Sequence, residues 1–555
     1  MALRILQVAV IGRTFHHAPA WAGTTKAPTL SLFVYLKDLS RGMLPSASQE
    51  PSRHFFTLEE IGRLHRTRAD SASDLDQQTW DDLLLGSYEE QLTQEVSIFG
   101  RQVIHQRLRA GLDDAGCAAG RERLRTLMAD PLRLERMHAD LRVLRHADSE
   151  VAGLLFGADM PPTPWWGRWL WILPVALLLA VAATITLPLG WIAVLAALAP
   201  LMALQIHYHR RVESWDAAIR ALHALLAAVA RLGQEDSTLT AAFVDLRRPA
   251  ARLHVRLARS LLVRMIPGGK QYADWFGAAN VGRYFKTVRL VAAERKLLRE
   301  CYLLCANLEA DVALARHLLA SERWCWAERS DARSLVLEEG VHPLMHRPAA
   351  LSLKLQGCGA FVSGQNASGK STFLRMVGLN LVAARAFGFC YAQQARVPAL
   401  PVRASMQNED SLLGGESLYM SELRRARELL DAKTPGVCLV DEVFRGTNHL
   451  ESVSAAAAVL EQLSERDLVL VSSHNLVLAP LLRERLDAFF IDTASGRPAL
   501  AAGVLRNPNG IALLATQGFG ARIENRAAEV ARWLSGHLAE PQSAESQSDN
   551  LRISA

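Results

Sequence analysis

The residues best suited to chemistry lie in the last third of the 555-residue chain, within "GAFVSGQNASGKST". An apolar, partly β-branched run leads straight into Gly364-x-x-x-x-Gly369-Lys370-Ser371, and "TFLRMVGLNLVAARAFG" follows with helical periodicity. Strand, glycine loop and helix in that order make a phosphate cradle. Glycines let successive N–H groups turn inward, and the helix adds its positive N-terminal end. Lys370 would reach the β- and γ-phosphates and the Ser371 hydroxyl would ligate Mg²⁺, with Thr372 beside them at the helix start. The pattern therefore calls for a nucleotide with Mg²⁺ as cofactor.

The partners such a loop needs appear downstream. "PGVCLVDEVFRGTN" gives a buried strand ending in Asp441-Glu442. The aspartate can hold Mg²⁺ through its water shell, and Glu442 can orient or deprotonate the attacking water. A second strand, "DLVLVSSHN", ends in His474, placed to sense the γ-phosphate. Between these lies "NEDSLLGGESLYMSELRRARELL", a glycine-broken segment that opens a helix near Ser417. Taken alone, a serine there is an ordinary N-cap.

These side chains need a scaffold, and the chain changes texture several times before supplying it. From about Val336, short apolar runs alternate with helices. Residues 93–150 and 212–325 carry apolar positions at helical spacing with arginines on the remaining faces, interrupted by a turn at "IPGGKQ". Such arginine faces are ordinarily solvated helix surfaces. Residues 59–88 are polar with little pattern. Near the N-terminus, the run Ile5 to Ile11 is at the short limit for a signal-peptide core and is closed by Arg13, so a strand or a mistaken start codon fits it better than export.

Between the two helical stretches, Trp169 to Ile206 holds no charged side chain. One helix over that length would measure about 57 Å, nearly twice the hydrocarbon thickness. Broken at "LPLG", where Pro188 and Gly190 lie, it becomes two segments of about 27 Å, Trp169 to Thr186 and Trp191 to Tyr208. Trp165, Trp166, Trp169 and Trp171 crowd one end, and His207, Tyr208 and His209 the other. Arg168, Arg210 and Arg211 flank the pair, so both outer ends belong on the cytoplasmic side of an inner membrane. The competing reading is a buried core hairpin of a soluble domain.

Composition sets weaker bounds. A net charge of +6 and a pI near 9.0 fit nucleic acid or anionic lipid without choosing between them. The seven cysteines are scattered and match no disulfide framework or zinc spacing; Cys301 and Cys305, one helical turn apart, fit packed thiols in a reducing compartment.

Loop, Asp-Glu and histidine, in this order with the segment between, resemble the ATPase domain of the MutS family of DNA mismatch-repair proteins. The family's phosphate loop reads like "GQNASGKST", which adds Asn366 to the nucleotide-binding candidates. "DEVFRGTN", "VSSHN", "SLLGGESLYMSEL", "EEGVHPLM" and "GVLRNPNGIALLATQGF" are each similar to a family segment. The resemblance implies that the nucleotide is ATP, that Ser417 completes the nucleotide site of the opposite subunit, so the enzyme is a homodimer joined through its ATPase domains, and that duplex DNA is a possible partner. It is dense over about 335–540 and fainter over 93–150.

The implied fold class is mixed α and α/β: a helical core or lever domain interrupted by a transmembrane hairpin, then a P-loop, ABC-like α/β ATPase domain. The expected divisions are a poorly defined region 1–90, a first core part 91–160, the hairpin 165–210 in the lipid bilayer, a second core part 212–334, the ATPase domain 335–540 and a disordered tail 541–555. Two departures from the family stand out. The family reads mismatches with a phenylalanine followed two residues later by a glutamate, and none of the 17 phenylalanines is followed by Glu at that spacing. The second branch's nuclease-like tail is replaced by the polar "EPQSAESQSDNLRISA". A membrane-associated, nucleotide-dependent scaffold that never recognises mismatched DNA is thus the alternative to a repair ATPase. A transporter ATPase is disfavoured, because the interval from Lys370 to Ser417 leaves little room for the helical subdomain inserted there.

Overall fold

A computed structural model describes residues 54–67, 74–157, 160–235, 237–258, 269–330, 333–406, 418–493, 496–505, 514 and 516–539. Ser417 and the tail 541–555 lie outside the described residues, as do residues 1–53. The fold is mixed, a helical body followed by an α/β body with a mixed sheet.

The helical body is built around Ile98–Ala110. Ser97 caps it, and a carboxylate from another helix assists. Glu309, buried on Arg295–Ala320, accepts from the Ser97 N–H at 2.9 Å and the Gly100 N–H at 3.0 Å. A Cβ at Gly100 would stand 2.8 Å from that carboxylate, so the close approach requires glycine. Two turns along, Asp311 accepts from Arg107 and Arg123, each at 2.6 Å. Helices from before and after the apolar hairpin thereby share one core, with Phe99, Ile104, Leu108, Leu222, Val291 and Cys305 fully buried. Cys301 and Cys305 are packed thiols; burial pushes Cys301 up to about 12.

The hairpin breaks where proline and glycine stand. Ile172–Thr186 ends before Leu187, and a second helix starts at Gly190, where a Cβ would meet Thr184 at 2.7 Å. The sequence segmentation ended the second arm at Tyr208, but the helix runs on to Leu232, 43 residues in all. Nothing between Leu201 and Leu232 can stop it, since neither Gly nor a further Pro occurs there. Beyond Val212 it becomes amphipathic and enters the core through Trp215, Ile219, Leu222 and Leu225. The first arm has 15 residues, about 22 Å. Leu178, Leu179, Ile185, Trp191 and Leu195 on the two arms are exposed.

The α/β body centres on six strands in the order Ala499–Ala502, Leu486–Asp492, Gly359–Gly364, Leu468–Ser472, Val437–Asp441, Val402–Ser405. All neighbours are parallel except the first pair. The central strands are buried along their length, as expected where helices cover both faces of a parallel sheet. Residues 76–82, within the stretch read as poorly defined, cover the open edge. The Ala404 N–H donates to Thr79 Oγ1 at 2.9 Å and the Met406 N–H to Asp82 Oδ2 at 2.8 Å.

A buried chain of hydroxyl and imidazole groups joins three segments: Tyr88 to Tyr391 at 2.8 Å, and Tyr391 to His317 Nε2 at 2.9 Å. Burial pushes the imidazoles of His317 and His342 down to about 4, so both are neutral in the folded protein. An unfolded chain takes up these protons below about pH 6.5. The stability they carry is therefore complete above pH 6.5 and lost as pH falls toward 4. Urea-unfolding midpoints should fall across that window, and His317→Gln should make the acid loss shallower.

Candidate functional site

The sequence-predicted residues converge where three parallel strands end. Gly359–Gly364 runs into the glycine loop, Val437–Asp441 ends in Asp441-Glu442, and Leu468–Ser472 leads to His474. In open α/β sheets the crevice beyond the carboxyl ends of the strands is where ligands bind.

The loop turns on Ala367 at φ +59° and Gly369 at φ +95° before the 18-residue helix Lys370–Phe387 begins. Gly364 is compelled by crowding, since a Cβ would lie 2.5 Å from Ser368 Oγ and 3.3 Å from Lys370 Cγ. Asn366 is exposed on the loop, while Ser371 and Thr372 sit in the first helical turn with N–H groups that have no intrahelical acceptor. The buried Ser368 hydroxyl has no hydrogen-bond partner among the described residues. Unsatisfied donors on a loop opening into a helix suit an anionic phosphate chain.

Lys370 is 6% exposed, and its ammonium group donates to the carbonyls of Gly364 at 3.3 Å and Gln365 at 3.2 Å. It also lies 3.2 Å from His474 Nε2, which is 3.0 Å from Glu442 Oε1. One ring nitrogen thus stands between a cation and a carboxylate and can serve only one at a time, as acceptor toward Lys370 or donor toward Glu442. Burial lowers the pKa of Lys370, against the pull of Glu442 and Asp441. Burial and then the Lys370 charge lower that of His474, against the same two carboxylates. The Ser472 hydroxyl donates to Asp441.

Two residues not singled out from sequence extend this chain. Arg445 lies 3.3 Å from Glu442 Oε2 and, through Nε, 3.7 Å from Oε1 of Glu422. Glu422, only 4% exposed, also accepts from the Gly446 N–H at 3.4 Å. It belongs to Leu418–Leu430, the helix immediately after Ser417. Arg445 was visible within "DEVFRGTN" only as a letter of the motif, and Glu422 as one charge on an amphipathic helix; the pairing is tertiary. That helix is fixed to the sheet edge by Arg425, which donates to the Ala404 carbonyl at 2.6 Å and to Asp76 at 3.2 Å.

No group of three or more His, Cys, Asp and Glu able to hold a metal stands among the described residues. A Mg²⁺ ion there would take most of its ligands from water and substrate phosphates, which is its habit in nucleotide sites.

A glycine loop, a cation, two carboxylates and an imidazole at the ends of parallel strands define an α/β domain equipped for a phosphorylated ligand. Residues 360–492 match the family model for MutS domain V. Over 199 residues the chain is 32% identical to the DNA mismatch repair protein MutS of Thermus thermophilus, covering 35% of this chain and 24% of that protein. It is 29% identical over 225 residues to the DNA mismatch repair protein msh3 of Emericella nidulans, covering 38% and 20%. With MutS of Desulforamulus reducens it shares 28% over 193 residues, covering 32% and 21%. The chain thus resembles the MutS family over the stretch that matches its domain V, residues 360–492. It spans no more than 24% of the length of these relatives.

Because Lys370 is one cause of the low pKa of His474, Lys370→Met should raise the His474 titration midpoint. Burial, the larger cause, keeps it from recovering fully. Histidine proton NMR against pH, with His474→Gln to assign the signal, reads the shift.

Proposed function

We propose that this protein is a Mg²⁺-dependent ATPase of MutS type, acting as a homodimeric switch anchored in the inner membrane with its P-loop, ABC-like domain 335–540 in the cytoplasm. The observation that carries the reading is the chain Lys370, His474, Glu442 at the ends of parallel strands, inside the stretch matching MutS domain V. Gly364, Asn366, Gly369, Lys370, Ser371 and Thr372 would hold the triphosphate. Ser371 and Asp441 would hold Mg²⁺, which supplies charge neutralisation at the phosphates. Glu442, accepting from His474 on one side and Arg445 on the other, is the base that positions and deprotonates water. Ser417 would enter the site of the opposite subunit, so that the Glu422–Arg445 contact ties the trans helix to the base.

The helical parts 91–160 and 212–334 would carry the nucleotide-driven change to whatever the protein grips. The relatives' name favours duplex DNA, in a role related to mismatch repair. Residues 165–210 would be the transmembrane hairpin. In the more apolar part of Gly190–Leu232 only 17% of the residues are buried, which disfavours a soluble core helix. The hairpin favours a second reading, a membrane-held nucleotide switch that does not recognise mismatches.

Glu442→Gln should keep ATP binding and slow turnover by at least about 100-fold, the usual loss with a general base. It should also accumulate as an ATP-bound dimer in gel filtration. Turnover at the normal rate would remove Glu442 from this role. Binding to duplex and mismatched DNA should weaken steeply between about 50 and 200 mM salt if phosphates are contacted. ATP hydrolysis with no DNA binding even at low salt would leave the scaffold reading. Cell fractionation should place the protein in membranes, resistant to alkaline extraction.

A further inference from the structure

We infer that the short helix Gly269–Gly277 is a second membrane contact, lying in the headgroup zone beside the hairpin with Trp275 and Phe276 inserted among lipids. The inference rests on the membrane reading of the hairpin.

Trp275 is 51% exposed and Phe276 47%, adjacent large apolar side chains that each present about half of their surface to the outside. Their height is fixed by a polar clamp. Gln205, nearly buried on the long helix, donates from Nε2 to the Asp274 carbonyl and to Asn280 Oδ1 at 2.9 Å. Asn280 Nδ2 returns a bond to Gln205 Oε1 at 2.8 Å. Gln205 is the polar residue that closes the uncharged run, followed by Ile206, His207, Tyr208, His209 and two arginines. A side chain next to Asp274 therefore sits where the apolar span gives way to charge.

The same level carries other exposed indoles. Trp166 packs on Tyr208, with ring centroids 6.3 Å apart, and on Phe285 at 5.7 Å, which places the turn Trp165–Trp169 beside the Gln205 end of the long helix. Trp165, Trp169 and Trp171 are exposed there, with Arg168 over the Trp169 ring and Arg211 over Tyr208. Indoles gathered near one end of the apolar span, with arginines beside them, match the bilayer interface, where an amphipathic ring is half in hydrocarbon and half in water. Ala278, buried and left-handed at φ +47°, forms the corner that turns Gly269–Gly277 away from the next helix, Ala279–Ala293. Anchored at hairpin and short helix together, the long helix Gly190–Leu232 is set in depth, and the range of its tilt is limited.

Full-length protein in vesicles of phosphatidylcholine and phosphatidylglycerol tests this with a bimane probe. The probe is attached at Phe276→Cys or, separately, Leu178→Cys, with Cys325→Ser and Cys358→Ser to remove competing thiols. Both labelled sites are exposed, so neither substitution threatens folding. The probe at 276 should be quenched several-fold more by lipids brominated near the glycerol end than by those brominated deep in the chain, and be shielded from aqueous iodide. The probe at 178 should show the reverse depth preference. If 178 is quenched by lipid while 276 stays open to iodide, the helix does not touch the bilayer and the inference falls while the anchor stands. If 276 is shielded from iodide without bromine quenching, protein covers it, a second copy or a partner, and the inference falls. If neither site meets lipid, the membrane reading fails and takes this with it.

Discussion

The helical body and the α/β body are joined through a 13-residue helix, Ile98–Ala110, by the way its two ends are satisfied. A helix leaves N–H groups bare at one end and carbonyls at the other, and buried ends demand partners. Here distant side chains contribute to both sets, beside the local cap from Ser97. Glu309, on a helix that follows the hairpin, takes the N-terminal donors. Arg385 donates to the carbonyls of Ala110 at 2.6 Å and Arg109 at 3.3 Å. Gly111, at φ +73° and with no room for a Cβ beside Arg385, lets the chain turn under that guanidinium. Burial lowers Arg385 to about 10, so it remains a cation at neutral pH. Arg385 is in the last turn of the helix that opens with Lys370. Arg385 thereby joins the glycine-loop helix to the C-terminus of Ile98–Ala110, and Glu309 joins its N-terminus to Arg295–Ala320.

The other end of the same α/β body carries a matching continuity of charge. Lys370, His474, Glu442, Arg445 and Glu422 alternate so that each group faces an opposite or complementary one. The backbone is bent to permit it: Glu442 at φ +55° and Phe444 at φ +57° hold conformations that cost about 1 kcal/mol or more each. Their surroundings enforce them, since the Glu442 N–H is bound by the Ser472 carbonyl at 2.9 Å and Phe444 is fully buried. Strain kept at the residue read as the base, and compensated by the sheet, is what a pre-organised site requires.

Much of this site was legible in sequence because its signals are local. The glycine loop, Asp441-Glu442 and His474 each follow directly from the strand that presents them, so motif and element are read together. The hairpin turn was legible for the same reason, through Pro188 and Gly190. Contacts between remote segments were not. Residues 76–82 looked featureless, yet Thr79 and Asp82 supply the acceptors for an edge strand more than 300 residues away. Glu309 looked like one more charge on a helix, and its partners are N–H groups of the backbone, which no sequence pattern displays. The end of the second hairpin arm was misplaced because a change from apolar to amphipathic composition alters what a helix faces without ending it.

That last point bears on how the protein would work if the hairpin holds it in a membrane, as proposed above. A flexible anchor would leave the helical core free to turn against the hairpin. The structure has no flexible joint there: Gly190–Leu232 passes from the uncharged stretch into the core as one helix, held by Trp215 to Thr287 at 2.8 Å and by Arg283 to Asp216 at 3.4 Å. Rotating the core against the hairpin would mean breaking that helix or its packing. A continuous helix instead makes tilt the soft coordinate, so a change passed from Lys370 through Arg385 into Arg295–Ala320 would reach the hairpin as a lever movement. Residues at the bilayer surface, rather than those within it, would then decide how far the lever can swing.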